Sequence, residues 1–383
     1  MKPAYDIAFA GAGLAGLSLA VRLAALPRPP RMLLIDPRES ESRDRTWCYW
    51  HRREGPFDSA ITHSWKQWIV RSPDAPPAGT SGRDARHPYV RIPADRFRQL
   101  ALEKLEACPQ AEFLRGVSVT SLEDAKDHAV LQLSTGRRVA SSWTFDSRPP
   151  RLDNAPWRQI FRGLELHAPR VSLETGTVTL MDFQSAGPDG IRFFYVLPLD
   201  PQTALVEDTW LVPWGKTPCF SDDEILSYAT RNLGPSNWQI GHREEGNLPM
   251  GLLPSSSSAV SAGRKPNRII PWGTAAGAVR TSSGYAFSRV QRASDRMAAA
   301  WARNGRPDRG AGHGSRLLEW MDRVFLRAIS DHPERVPEYF VRLFERVQPE
   351  ALVRFLESDP QPGDILRVMR ALPATPFLRA ALQ

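Results

Sequence analysis

The run Ile7-Ala8-Phe9-Ala10-Gly11-Ala12-Gly13-Leu14-Ala15-Gly16 decides how this chain begins to fold. Four apolar residues read as a buried strand, the G-x-G-x-x-G spacing as a tight turn, and the stretch through Val21 as a helix. Gly11 permits the turn, Gly13 lets the backbone approach a pyrophosphate, and Gly16 allows the helix to pack closely on the strand. The helix then presents its free N–H groups and the positive end of its dipole to the phosphates. A second apolar run, Met32-Leu33-Leu34-Ile35, ends in Asp36. Asp36 lies about 20 residues beyond Gly16, where an acid is placed to accept hydrogen bonds from a ribose. The glycine spacing alone is weak; followed by helix, strand and acid, it specifies a dinucleotide site.

The 383 residues are enough for a sizeable core and two closely joined domains, and a 42% apolar content excludes disorder for most of the chain. No window reaches the roughly 18 consecutive apolar residues of a membrane span. The uncharged run Ile7 to Val21 is not read as a secretory signal, because Asp6 precedes it and its removal would delete the nucleotide turn. A cytoplasmic location is therefore expected. Cys48, Cys108 and Cys219 show no C-x-x-C spacing, which fits a reducing compartment and argues against a metal site. The net charge of +8 is carried by dispersed arginines without a nucleic-acid motif, so nucleic acid is not an expected partner, while an anionic membrane surface or a simply Arg-rich composition stays open.

Beyond the first β-α-β unit, Ser40 to Thr46 reads as a loop leaving the nucleotide site, and residues 72–88 as an exposed excursion. Tyr89 to Ile92 reads as a short strand and Ala94 to Ala107 as an amphipathic helix. Val117 to Leu122, Ala129 to Leu133, Arg137 to Ala140 and Ser142 to Asp146 read as further strands. Short β-like segments at Leu164–Leu166, Val178–Met181, Ile191–Leu197 and Ala204–Trp210 suggest an antiparallel sheet inserted into the nucleotide fold. A helix is expected over Asp222–Leu233, strand and loop over Arg243–Leu253, and a polar loop over Ser255–Asn267. Ile269 to Trp272 then runs into Gly273-Thr274-Ala275-Ala276-Gly277, with a helix beginning near Gly284.

The domains expected are a discontinuous nucleotide-binding domain (1–72, 89–160 and 265–300), an antiparallel-sheet substrate domain (161–264) and a helical region (301–383). In the last, Leu317–Ile329 and Pro337–Val347 place apolar residues at helical spacing beside Arg323, Arg327, Arg342 and Arg346. Such helices serve either as core with a solvated face or as a lipid-facing entrance to an apolar substrate site.

The strand Leu205-Val206-Glu207-Asp208-Thr209-Trp210 sets two adjacent carboxyl groups among apolar residues, pointing to opposite faces. Desolvation and mutual repulsion should leave at least one of them protonated at neutral pH. A proton held in apolar surroundings is what a general acid acting on an alkene requires. An edge strand whose acids reach solvent or pair with arginine is the alternative. Glu245, in Glu244-Glu245-Gly246-Asn247, is a further candidate for polarising substrate or positioning water, or a plain surface carboxylate. Gly273 to Gly277 and Arg280 to Tyr285 supply amides and hydroxyls at a helix start, suited to a flavin.

Taken together, Asp6 to Gly16, Arg45-Thr46-Trp47, Phe194 to Leu199, Leu205 to Thr209, Gly246 to Met250, Gly277 to Phe287 and Pro349 to Phe355 resemble the bacterial lycopene cyclase family. These are FAD enzymes related to the p-hydroxybenzoate hydroxylase type of fold. The resemblance implies an α/β, Rossmann-type FAD-binding fold with an antiparallel β substrate domain and C-terminal helices. It implies reduced FAD as a non-redox cofactor, NAD(P)H as its reductant, and an acyclic carotenoid substrate, lycopene or a related polyprene. It also implies a peripheral association with the membrane. The first acid of the family's E-D-T or E-E-T strand is catalytic and corresponds to Glu207, with Asp208 as its neighbour. The cofactor-binding candidates are Gly11, Gly13, Leu14, Ala15, Gly16, Asp36, Arg45, Val117, Gly273, Gly277, Ser283 and Gly284. An FAD-dependent monooxygenase or polyprenyl reductase would use the same nucleotide fold, but Gly273-Thr274 lacks the acid usual in the second flavin fingerprint of hydroxylases. A non-enzymatic flavin- or carotenoid-binding protein would leave Glu207 and Asp208 without a role.

Overall fold

Strand Tyr5–Ala10 pairs in parallel with Met32–Asp36 on one side and Arg138–Asp146 on the other, at the heart of a seven-stranded sheet. A computed structural model describes residues 3–40, 43–80, 85–149, 155–235, 237–251, 268–308 and 315–382. Ala111–Arg115 extends the sheet in parallel beyond Met32–Asp36, and Ile269–Pro271 runs parallel to the end of Arg138–Asp146. Ala129–Leu133 and Val119–Asp124 close the other edge as an antiparallel pair. Tyr5–Ala10 and Met32–Asp36, at the centre of the sheet, are buried on both faces, which is why they read as nearly unbroken apolar runs, whereas the edge strand Ala111–Arg115 is partly exposed. Ile7, Phe9 and Leu34 share one core with helices Leu14–Ala24, Ala94–Glu106 and Phe287–Asn304, whereas Ala8, Ala10, Leu33 and Ile35 pack with Leu131, Leu133 and Val139. Arg137–Ala140 and Ser142–Asp146, expected as two segments, form the single strand Arg138–Asp146.

The second sheet has the order Gln239–Met250, Trp157–His167, Thr203–Pro213, Gly190–Asp200, Thr177–Gly187, Gln67–Ser72, Ala75–Gly79. All neighbours are antiparallel except Thr177–Gly187 and Gln67–Ser72. Its central strands are longer than their apolar centres suggest, because half-polar positions continue the ladder on the face that carries the candidate site. Strand Trp157–His167 belongs to this sheet from its first residue, and residues 67–79 join it too, although 157–160 and 67–72 were expected with the nucleotide domain. Pro76 and Pro77 lie in the edge strand, where a missing N–H costs no ladder bond. The expected loop at Ser255–Asn267 lies outside the described residues.

Alternation assigns the two faces of this sheet different tasks. Leu164, Leu166, Phe194, Val196 and Val206 bury against Ile225, Tyr228 and Ala229 of helix Asp222–Asn232. Ser221 caps that helix by accepting the Asp223 N–H. The opposite face meets a three-stranded sheet formed by Thr46–Trp50, Tyr89–Pro93 and His63–Trp65. The Trp65 indole donates to the Pro198 carbonyl at 3.0 Å, and Trp50 packs edge-on against Trp68 at 5.6 Å.

Helices Arg316–Asp331, Val336–Arg346, Pro349–Leu356, Pro362–Ala371 and Ala374–Leu382 complete the described chain, and Leu326, Tyr339 and Leu352 enter the core under the second sheet. These helices also hold the loop that follows Gly277. The fully buried Arg280 pairs with Asp322 at 3.0 Å and donates to the carbonyls of Phe355 and Leu356, while Ser282 Oγ donates to Asp322 at 2.8 Å. Breaking a buried pair of this kind leaves an uncompensated charge, so the loop's position is strongly determined.

Candidate active site

Two regions are assembled around the contact between the sheets. At the first, Gly11 adopts φ +99° and donates its N–H to the Ile35 carbonyl at 2.9 Å. A Cβ at Gly16 would lie 2.4 Å from the Gly11 carbonyl oxygen, so helix and turn approach too closely for any other residue. At Gly13 the reverse holds: a Cβ would have only Arg38 Nη2 within 4 Å, at 3.9 Å, and no side chain caps the helix that begins at Leu14. Space and first-turn N–H groups are thus left together, as a phosphate requires. Gly273, at φ +66°, closes the other side, where a Cβ would stand 2.6 Å from that of Ala15. The Trp272 indole donates to the Ala15 carbonyl at 2.9 Å.

Gly277 is left-handed with open space at its Cβ position, and Ser283 Oγ is buried without a partner. Gly284, at φ +73°, brings the loop against Gln159 of the second sheet. Val117 N–H donates to the Asp36 carbonyl at 3.2 Å, holding Val117 at the end of the second strand. Asp36 itself is buried. It accepts the Ala12 N–H at 2.8 Å and a fork from Arg38, Nε at 2.7 Å and Nη2 at 2.9 Å. Burial raises its proton affinity, but the Arg38 guanidinium and the Ala12 amide outweigh burial and keep it below the ordinary carboxylate range. Since Arg38 N–H also donates to Asp36, a ribose hydroxyl gains access only when the Arg38 fork rotates. Arg45 pairs with its neighbour Asp44 at 2.9 Å and is half exposed. The open cradle at Gly13 and the unpartnered Ser283 hydroxyl fit an FAD, and Asp36 joins them once the Arg38 fork rotates; the Arg45 side chain pairs within its own loop, while its carbonyl accepts the Ala94 N–H at 3.0 Å.

The second region lies on the inner face of the second sheet. Trp157–His167 runs between Thr203–Pro213 and Gln239–Met250, and Gly163 is the register partner of both Glu207 and Glu244. Partners of one residue share its face, so both carboxyl side chains rise over the glycine. The Thr46 hydroxyl donates to Glu244 Oε2 at 2.9 Å. The other oxygen, Oε1, is buried and receives no ordinary donor; the Glu207 carboxyl within hydrogen-bond reach supplies one when it is protonated. Burial, then the charge of Glu244 and the hydrogen bond to it, raise Glu207 well above the ordinary glutamate value, against a smaller opposing pull from Arg91.

Tyr195 is the register partner of Glu207 on its other side and starts a chain of hydroxyls. Tyr195 donates to Tyr89 at 3.2 Å, and Tyr89 lies 3.3 Å from Tyr285 of the Gly284 loop. Burial raises all three phenols, so they stay neutral, and burial pushes the adjoining Cys48 thiol up to about 12. Trp50 packs at 4.8 Å from Tyr89 and 5.3 Å from Tyr285, so the region next to the acid is lined by aromatic faces.

Two residues expected beside Glu207 lie elsewhere. Asp208 projects to the other face, where Arg192 holds it in a two-pronged pair at 2.9 and 2.8 Å, with Glu224 on the same guanidinium. Burial still raises Asp208, against the pull of Arg192. Glu245 likewise turns away, pairing with Arg162 at 3.2 Å with its side chain largely in solvent. The like charge that acts on Glu207 is therefore Glu244, two strands away, and neither of the expected neighbours. Alternation in Glu244-Glu245-Gly246 carried this signal, since only one of the two acids can share a face with Glu207 once the register is known.

The architecture is that of FAD-dependent monooxygenases and reductases. Solved structures similar to this chain include a geranylgeranyl bacteriochlorophyll reductase-like protein from Thermoplasma acidophilum, with TM-score 0.60, 14% identity, and coverage of 99% of this chain and 98% of that one. A p-nitrophenol 4-monooxygenase from Pseudomonas putida gives TM-score 0.57 at 12% identity, covering 100% and 98%. These likenesses establish the fold. Within it, the family described as Lycopene cyclase protein matches residues 6–382, and the chain belongs to that family. Among its curated relatives, a lycopene beta-cyclase of Pantoea ananas is 26% identical over 410 residues, covering 100% of this chain and 98% of the relative. One from a Paracoccus species is 26% identical over 398 residues, covering 97% and 95%.

A carboxyl that keeps its proton in the folded protein but releases it at the ordinary value when unfolded makes stability fall as pH rises between those two values. Glu207→Gln removes this dependence. Its thermal midpoint is expected to exceed that of the unmodified protein at about pH 8 and to match it at about pH 4. An equal difference at both pH values would exclude a proton-holding Glu207.

Proposed function

We propose that this chain is a lycopene beta-cyclase that forms β-ionone rings on the acyclic end groups of lycopene or a related polyprene by acid-initiated isomerisation. The observation that carries the reading is the buried Glu207, set over Gly163 with Glu244 and flanked by Tyr195, on the strand where the family has its catalytic acid. An alkene offers no oxygen to hydrogen-bond, so the cation made by protonating it is stabilised only by negative charge, dipoles and π faces. Glu207 provides the proton and, once it has given it up, the negative charge. Tyr195, Tyr89, Tyr285 and Trp50 keep water from the carboxyl and offer π density. The cradle of Gly11, Gly13, Gly16, Asp36, Gly273, Gly277 and Ser283 would hold FAD. Bound there and kept reduced by NAD(P)H, FAD would supply electron-rich character to stabilise the cation, without net redox change.

The substrate is a membrane-dissolved hydrocarbon, and the C-terminal helices suit its delivery. Among the described residues no helix is long and apolar enough to cross a membrane. Leu317, Trp320, Leu366, Met369 and Leu378 are nevertheless exposed, interspersed with Arg316, Arg323, Arg367, Arg370 and Arg379. Apolar side chains flanked by arginines bind anionic lipid surfaces. The protein would then work as a peripheral enzyme on the cytoplasmic side.

Removing a general acid costs on the order of 10²–10⁴-fold in rate, so Glu207→Gln is expected to retain bound flavin and lose ring formation by that factor. Gly13→Val is expected to purify colourless, because its side chain fills the pyrophosphate's approach. With reduced flavin under anaerobic conditions, the unmodified protein is expected to yield a product isomeric with its substrate. A product heavier by oxygen, or near-normal turnover in Glu207→Gln, would overturn the reading. Vesicles containing anionic phospholipid are expected to co-sediment the protein, and Trp320→Ser combined with Met369→Ser to weaken that binding several-fold. Equal sedimentation of the variant would remove these helices from the membrane contact.

A further inference from the structure

We infer that Glu207 works as half of a two-carboxyl, one-proton pair, in which Glu244 keeps the proton on the acid and Gly163 is the spacer that lets the two groups meet. The inference rests on the acid-initiated reading and adds two positioning residues to it. Glu207 and Glu244 stand on strands separated by Trp157–His167, roughly 10 Å apart at two strand spacings. Their side chains converge because nothing projects between them. A Cβ at Gly163 would lie 3.0 Å from Cγ of Glu207 and 3.0 Å from Cγ of Glu244.

The surrounding charges favour the shared proton. Three carboxyl groups occupy this face: Glu207, Glu244 and Glu165. They are met by two guanidinium groups. Arg43 pairs with Glu165, and the buried Arg91 reaches Glu165 at 3.4 Å while acting on Glu207. Thr46 supplies a neutral donor, and Cys48 and Tyr195 stay uncharged. Two histidines also stand here: His242, the register partner of Glu165, and His63 of the facing sheet, which burial pushes toward its neutral form. Among the permanently charged groups, three carboxylates against two guanidinium ions leave one negative charge in excess, which a proton on the Glu207–Glu244 pair cancels.

That balance defines the proton's route. The Glu207 O–H bond breaks as a C–H bond forms with the alkene π electrons, leaving a tertiary cation beside a site that now carries one uncompensated negative charge. The neighbouring double bond supplies the electron pair of the new ring C–C bond, and the cation moves into the ring. A ring C–H bond then breaks, its electrons become the ring double bond, and the proton returns to Glu207, where Glu244 again helps to hold it. Product and substrate are isomers, and the pair is restored.

The test is the pH dependence of ring formation in Glu244→Gln, which removes the like charge while keeping an acceptor for Thr46. Activity requires protonated Glu207, so it is lost as pH rises through the value at which that proton leaves. Without Glu244 this loss is expected to begin at least about one unit lower, giving about a tenfold deficit at alkaline pH that recovers on acidification. Gly163→Ala, which keeps both acids and wedges them apart, is expected to shift the profile in the same direction. In the unmodified protein, infrared spectra are expected to show a protonated carboxyl persisting above neutrality and absent from Glu207→Gln. A Glu244→Gln profile that superimposes on the unmodified one, a deficit equal at every pH, or the absence of that band would overturn the pairing. If Glu207→Gln is inactive while Glu244→Gln keeps the normal profile, only this inference fails. If Glu207→Gln remains active, the acid-initiated reading fails with it.

Discussion

A carboxyl buried next to another carboxyl is the constraint on which the inner face of the second sheet depends. Glu207 and Glu244 share that face only because the residue between them is a glycine, and they share it without a matching number of cations. Everything around the pair is consistent with an excess of one negative charge kept away from water. Arg91 and Arg43 are drawn in with Glu165, Thr46 donates from the facing sheet, and neutral phenols fill the remaining wall. Such an arrangement costs stability, and natural proteins accept that cost at sites where a displaced proton affinity is used.

The fold supplies the facing wall. The three-stranded sheet of Thr46–Trp50, Tyr89–Pro93 and His63–Trp65 bridges the nucleotide-type domain and the second sheet, so that Thr46, Cys48 and Tyr89 meet residues more than 100 positions later in the chain, and Arg91 meets Glu165. The loop after Gly277 enters the same space through Tyr285. Its position is set by Arg280 and Asp322, a buried pair that ties it to the C-terminal helices. Cofactor cradle, acid and candidate lipid-facing helices are therefore mechanically continuous.

Much of this was legible in the residues. The turn at Gly11 to Gly16, the acid at Asp36, the second glycine junction and the central antiparallel strands are local patterns, and they lie where spacing and periodicity place them. Strand lengths were less legible, because Trp157–His167 and Thr203–Pro213 continue through half-polar positions that look like loop until their partners are known. Within the excursion expected after residue 72, Ala75–Gly79 forms an edge strand, which its two prolines had hidden. The pairing of acids was the reading that local pattern could not support. Glu207 and Asp208 are adjacent in the chain and were expected to act on one another, yet the pleat sends Asp208 to Arg192 on the far face. Glu245 looked equivalent to Glu244 until the register with Gly163 separated them.

The chain by itself determined the nucleotide turn, the strand that carries Glu207 and the family to which both belong, since each rests on short-range geometry or on motifs a few residues long. Tertiary structure alone decided which carboxyl faces Glu207, how many guanidinium groups answer it, and that Arg38 already fills Asp36. Those outcomes depend on register and on which sheet covers which. A shift of a single residue in one strand would exchange Glu244 for Glu245, and no local property of either residue opposes that shift.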